Sequence, residues 1–125
     1  MLIGHQARTF VPNNAVFIVV GDDGDGSSVE TKNTTDNFSE YNGPEWDSSD
    51  AQLSICRVGP TLTLYKRHVG TPEAWVQAAS FDRPDLPAKL QVGVNIYSDS
   101  TPDLQVRYKN VEIEKLNSTA ECETD

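Results

Sequence analysis

The side chains of this sequence that could do chemistry fall into a few groups. Arg57, Tyr65, Arg67, Gln91, Asn95, Tyr97 and Arg107 lie opposite the most apolar positions of the strand-like runs that carry them. If those runs are neighbours, the residues converge on one polar and aromatic surface. That is the composition a sugar needs, with aromatic faces for C–H stacking and planar amides and guanidinium groups for hydroxyls. The same residues also suit cross-strand pairs on a solvated sheet face. Asp22, Asp23 and Asp25 could gather around calcium, which takes about 6–8 oxygen ligands. Ser27 and Ser28 stand where a helix-loop calcium site would place its third acid and its glycine, so a plain hairpin loop is the competing reading.

The acidic stretch Glu45-Trp46-Asp47-Ser48-Ser49-Asp50 raises the question of hydrolysis, since a retaining glycosidase holds two carboxyls roughly 5 Å apart. Gly43-Pro44 before it and Ser48-Ser49 within it place the stretch in a loop, where strand alternation does not hold, so no catalytic residue is assigned. His5 and His68 are far apart, and no serine or cysteine has a nucleophile's surroundings. Of the two tryptophans, Trp75 reads as core and Trp46 as an exposed platform. The N-x-Ser/Thr triplets at Asn33, Asn37 and Asn117 are expected by chance in a chain so rich in these residues.

The element that must position most of the first group is residues 89–97. Leu90, Val92, Val94 and Ile96 fall on one side, and Lys89, Gln91, Gly93, Asn95 and Tyr97 on the other, which predicts a central strand with its apolar side sealed in a core. Gly93 suggests a bulge or bend there. Pro84 and Pro87 lack an amide donor and suit the strand's entrance.

The remaining chain reads as strands joined by turns. Residues 2–10 are β-compatible and begin abruptly, which suggests that strands of the same fold preceded them. Ala15 to Val20 is apolar on both faces and should be covered on both sides; residues 28–33 return as its hairpin partner. Residues 34–50 read as a long loop holding a short strand. Residues 52–58 and 61–67 form a hairpin around Gly59-Pro60, and 75–81 is a further strand. The last strand is placed at 104–116, with a bulge near Asn110. Residues 117–125 read as a mobile acidic tail after a single domain spanning 1–116. No segment holds a helical period, and strands recurring about every ten residues argue an all-β, antiparallel two-sheet sandwich.

Composition narrows the partners. A net charge of −9, from 19 acidic against 10 basic residues, repels nucleic acid and anionic membrane surfaces. The only cysteines, Cys56 and Cys122, are too few for a metal cluster and read as free thiols, one in a strand and one in the tail. No apolar stretch is long enough for a membrane helix, and Met1 to Gln6 pass straight into strand-like sequence without a charged-then-apolar leader pattern, so any export signal is expected to have been removed or to lie upstream.

The run from Leu53 to Arg67 around Val58-Gly59-Pro60-Thr61, followed by Trp75, by Arg83-Pro-Asp-Leu-Pro-Ala-Lys-Leu-Gln-Val-Gly93 and by Tyr108 to Val111, resembles the concanavalin A-like jelly-roll domains of bacterial secreted proteins. These include laminin-G-like modules and relatives found beside glycoside hydrolases. The stretch from Glu45 to Asp50 also resembles the Glu-x-Asp-x-x-Glu arrangement of jelly-roll glucanases, but ends in Asp50 rather than Glu. The resemblance implies two antiparallel sheets and a concave sheet that holds a carbohydrate. Such domains are usually longer, which agrees with missing N-terminal strands and leaves a sheet edge open to a second copy. The expectation is a non-catalytic carbohydrate-binding or adhesive module of an exported protein, extracellular or periplasmic. The alternatives are a glycan-active enzyme or its accessory domain, and a structural self-association module.

Overall fold

A computed structural model describes residues 2–8, 13–22, 24–97 and 105–124. They form strands β1 (Leu2–Arg8), β2 (Ala15–Asp22), β3 (Ser27–Thr35), β4 (Phe38–Asn42), β5 (Gln52–Val58), β6 (Thr61–Arg67), β7 (Val76–Asp82) and β8 (Gln91–Tyr97), then a short 3-10 helix, Thr119–Glu123. The strands make a five-stranded sheet, ordered β4-β3-β2-β1-β8, and a three-stranded sheet, ordered β5-β6-β7. Every pairing between them is antiparallel.

Directly opposed residues share a sheet face, so the register identifies the inner side. Val92 stands opposite Ala7, Ala7 opposite Val16, and the same row continues through Ile18 and Val20 to Val29. From the smaller sheet, Leu62 and Leu64 face them and join Ala7, Val16, Ile18, Val20, Val29 and Leu86 in one buried cluster. Each such Leu, Ile or Val is worth about 1.5–3 kcal/mol when fully buried, which makes this row the main source of stability. Strand β2 is buried along its whole apolar run, with Phe17 and Val19 forming a separate cluster on the other face, as its two-sided apolar sequence predicts.

Short turns explain most of the topology. Asp36 and Asn37 both adopt positive φ, 48° and 70°, and close β3 onto β4 in a two-residue hairpin. Such turns need φ > 0 at both central positions, and Asp and Asn tolerate it better than other non-glycine residues. Within the stretch expected to be a long loop holding a short strand, residues 34–42 are thus the end of β3, a two-residue turn and that short strand, paired as a hairpin. Where β4 ends, a side chain at Gly43 would come within 2.9 Å of the Glu30 Cγ. Glycine there lets the chain turn back across β3.

The core strand predicted at 89–97 is an edge strand. The smaller sheet packs chiefly on β1, β2 and β3, with β5 across β1 and β2 and β7 across β3. A three-strand width cannot cover five strands spaced about 4.8 Å apart. Val92, Val94 and Ile96 consequently remain 57%, 45% and 50% exposed, so the apolar side of β8 is not sealed. No break occurs at Gly93; the irregular register falls between Leu64 and Tyr65, where β6 meets β7.

The C-terminal region departs most from the sequence reading. Residues 105–116 make no strand pairing, and Val111 and Ile113 are exposed. Alternation alone placed a strand there, but alternation supplies no partner ladder. The tail is held: Cys122 is bonded to Cys56 across a sequence separation of 66, with a Cα–Cα distance of 5.7 Å. Neither cysteine is free. Leu116, Val58 and Trp75 pack around Cys56, Tyr65 and Cys122, so the tail covers the outer face of the smaller sheet.

Candidate functional site

Of the expected sugar-binding residues, those whose side chains are described do not share one surface, and the Tyr97 side chain lies outside the described set. Tyr65 and Arg67 point to the outer side of the smaller sheet, opposite Ser54 and Gln52. Tyr65 is 2% exposed beneath the tail, which removes it from any ligand. Its hydroxyl is pushed upward in pKa by that burial and by the charge of Glu123. Arg67 donates from Nε to Gln52 Oε1 and lies 4.2 Å over the Trp75 ring. Arg57 shares the inner-face parity of Leu53 and Ile55, and its guanidinium donates to the carbonyls of Gly59, Pro87 and Leu86 at 3.2, 2.7 and 3.0 Å. Arg57 therefore ties the β5–β6 turn to the segment that leads into β8.

Gln91 and Asn95 belong to the outer side of the larger sheet, in register with Arg8 and Gly4, while Tyr97 closes β8 opposite Leu2. Arg107 is exposed in the unpaired 105–116 stretch. The two outer sides face away from each other across the core, so strand parity alone cannot bring these residues together. The Asn95 carbonyl accepts a 2.6 Å hydrogen bond from the Tyr108 hydroxyl, whose pKa is raised by burial.

The structure instead gathers residues at one end of the larger sheet. Asp25, Gly26, Ser27, Glu45, Trp46 and Asp47 line a cleft of about 420 Å³. Its walls come from the β2–β3 turn and from residues 44–47, which run beside the start of β3. Ser28 bridges Glu45, the Trp46 amide donates to the Ser27 carbonyl at 2.9 Å, and the Val29 amide donates to the Pro44 carbonyl at 3.3 Å. On the turn side, the Gly24 amide donates to Asp22 Oδ1 at 2.7 Å, an aspartate turn of the ordinary kind. Asp23 lies outside the described residues. Among the described residues, no group of three or more His, Cys, Asp or Glu is arranged to hold a metal.

Trp46 is fixed from several directions. Its Nε1 donates to the Asp50 carbonyl at 3.0 Å, the His68 ring stacks on it at 4.0 Å with 13° between planes, and Lys66 Nζ lies 4.7 Å from its ring centroid. The ring also packs against the core cluster, so it is a half-buried wall and not a free platform. His68 in turn is held between carboxylates, with Nε2 2.5 Å from Asp47 Oδ1 and Nδ1 2.7 Å from Glu73 Oε1. Thr71 donates to the same Glu73 oxygen at 2.6 Å. The hydrogen bond to Asp47, reinforced by that to Glu73, raises the His68 pKa, and an imidazolium that donates from both ring nitrogens satisfies both acids. Asp47 is lowered by His68, and Glu73 is lowered first by Thr71 and then by His68.

Sequence reasoning singled out Trp46 as a platform but read the flanking acids as a solvated loop, and it missed His68, whose distance from His5 in the sequence gave it no role. The available signal was the inner-face parity Leu62, Leu64, Lys66, His68, which carries the imidazole past the end of the core toward Trp46. No protein-family model, curated protein or solved structure matches the chain.

Proposed function

We propose that this chain is a non-catalytic carbohydrate-binding module of an exported protein, a two-sheet sandwich of the concanavalin A-like kind, with its sugar site in the cleft between Asp25–Ser27 and Glu45–Asp47. The supporting observation is the cleft's lining: an indole held in place by stacking and hydrogen bonding, beside three carboxylates and a serine. A pyranose presents hydroxyls beside C–H patches; the carboxylates and Ser27 can accept from the hydroxyls, and the part of the indole that lines the cleft offers apolar surface to the C–H groups. The cleft's volume lies at the small end of ligand sites, which suits one or two sugar rings. Acidic walls favour neutral or amino sugars over sulfated or sialylated ones.

Export is supported by the Cys56–Cys122 disulfide, since such bonds persist in oxidising compartments. A charge of −9 argues against nucleic acid and anionic lipid as partners. Among the described residues, no helix is long and apolar enough to cross a membrane.

A glycan array followed by calorimetry on the hits tests the reading. Glu45→Gln and Asp47→Asn, both at exposed positions, should each weaken binding about tenfold, the effect of losing one hydrogen bond to a charged group. Gln91→Ala on the far face should leave binding unchanged. Failure to bind any glycan overturns the sugar site, and release of reducing ends that stops in Glu45→Gln overturns the non-catalytic assignment.

A further inference from the structure

We propose that Asn42 is a site of spontaneous covalent modification, at which the side-chain amide is lost through a cyclic imide with the Gly43 nitrogen and the β-aspartyl product puts the cleft wall out of register with β3. Asn42 is the only asparagine of this chain that is followed by glycine. An asparagine amide reacts with the next backbone nitrogen most readily when that nitrogen belongs to glycine, because no Cβ obstructs the five-membered ring and the backbone turns freely. Asn42 also ends β4, the edge strand of the larger sheet, whose residues are all exposed, so water reaches the amide.

The ladder fixes where the Gly43 nitrogen points. The two-residue turn makes Thr35 and Phe38 the first hydrogen-bonded pair, and alternation makes Asn33–Glu40 and Thr31–Asn42 hydrogen-bonded pairs as well. The same register resumes after Gly43, since the Val29 amide donates to the Pro44 carbonyl at 3.3 Å and the Trp46 amide to the Ser27 carbonyl at 2.9 Å. Gly43 therefore occupies a non-hydrogen-bonded position, and its N–H is directed away from β3, toward the open side of the edge. Glycine is required there, because a Cβ would lie 2.9 Å from the Cγ of Glu30, which is buried.

The reaction needs only water. The Gly43 nitrogen gives up its proton and attacks Asn42 Cγ; the new C–N bond forms as Cγ–Nδ2 breaks, and Nδ2 leaves as ammonia with that proton. Ring closure requires rotation about the Asn42 Cα–C bond, which opens the Thr31–Asn42 rung, the last of the β3–β4 ladder. Opening at the end of an edge strand costs little. Water then opens the imide at either carbonyl. Attack at the former side-chain carbonyl leaves an ordinary aspartate, whereas attack at the former backbone carbonyl leaves a β-aspartyl link whose chain runs through Cβ and Cγ. Only the second lengthens the backbone, by one carbon between Asn42 and Pro44. The Thr31–Asn42 pair on one side and the Val29–Pro44, Ser28–Glu45 and Ser27–Trp46 pairs on the other can then no longer keep a single register. The displaced residues are those that carry Glu45, Trp46 and Asp47 into the cleft. The consequence for sugar rests on the function proposed above; the chemistry and the register change do not.

Ageing the chain in mildly alkaline buffer at physiological temperature, followed by peptide mapping with fragmentation, should show amide loss at Asn42 before any other asparagine. The β-aspartyl form, detected by enzymatic methylation of its free carboxylate, should accumulate in the wild type and not in Asn42→Gln, where the ring would need an extra carbon. In the aged chain the Trp46 amide should lose its protection from hydrogen exchange. In Asn42→Asp, which carries the new charge on an ordinary backbone, it should stay protected. An intact Asn42 amide in a chain where another asparagine has converted overturns the site, and a protected Trp46 amide in β-aspartyl chain overturns the register change. Glycan hits should be lost on ageing in the wild type and kept in Asn42→Gln of the same age. An array without hits overturns the sugar site alone, because amide loss and exchange are read without any glycan.

Discussion

Replacing Arg83 should produce the largest single loss of stability among the polar residues. Arg83 is 3% exposed, and its guanidinium forms a two-pronged pair with Asp85, from Nε at 2.9 Å and a terminal nitrogen at 2.7 Å. The same group donates to Asn33 Oδ1 at 2.6 Å, to the Thr34 carbonyl at 3.0 Å and to Asn14 Oδ1 at 3.1 Å. One side chain thus fastens the segment after β7 to the ends of β2 and β3, and its own amide donates to the Pro60 carbonyl at 2.8 Å. Removing one partner of a buried ion pair costs about 3–5 kcal/mol. Because the Asp85 side chain is 44% exposed and keeps part of its hydration, the lower end, about 3 kcal/mol, is expected for Arg83→Ala. Against a typical total of roughly 5–15 kcal/mol this is a large fraction, and it corresponds to a fall in Tm of roughly 10 °C. Urea denaturation should show a lower midpoint with an unchanged slope. Arg83→Lys should recover only a minor part, since an ammonium lacks the planar fork. The pH dependence has a definite sign: Arg83 lowers the Asp85 pKa, so that contribution is present above the unfolded-state value and is lost as pH falls through the lowered one. A loss below about 1 kcal/mol in Arg83→Ala, the scale of one ordinary hydrogen bond, would refute the network's importance.

Two further outcomes follow from the structure. Cys56→Ala with Cys122→Ala should destabilise the chain by about 2–4 kcal/mol, as expected for opening a long covalent loop, and the wild type should take up no alkylating reagent until reduced. An NMR titration should place the His68 imidazole above its ordinary value of 6.5, with Trp46 fluorescence changing over the same range. The clamp's contribution is complete below 6.5 and is lost as pH rises through the raised His68 value. The Asp47 and Glu73 contributions are instead lost as pH falls through their lowered values, so the cleft wall is firmest in the interval between. A His68 value at or below 6.5 would exclude the double carboxylate clamp.

By itself the sequence determined most of the strands, while the one it placed at 104–116 makes no strand pairing over the described residues 105–116. Two-residue alternation at 52–58, 61–67 and 91–97, an apolar run at 15–20, and Gly59 with φ 59° at a tight reversal are local properties, because side-chain direction and turn chemistry depend on near neighbours. The Asp36-Asn37 hairpin was legible in principle and hidden by the polarity of the residues around it. Tertiary structure alone decided which strand was central and which faces met. Alternation marks Val92, Val94 and Ile96 as a face but cannot show that a three-stranded sheet ends before reaching them. Nor can it show that Tyr65 lies under a returning tail, that Cys122 reaches Cys56, or that His68 bridges Asp47 and Glu73. Those contacts join residues from different strands and loops, and their positions depend on how the two sheets stack, which no local pattern encodes.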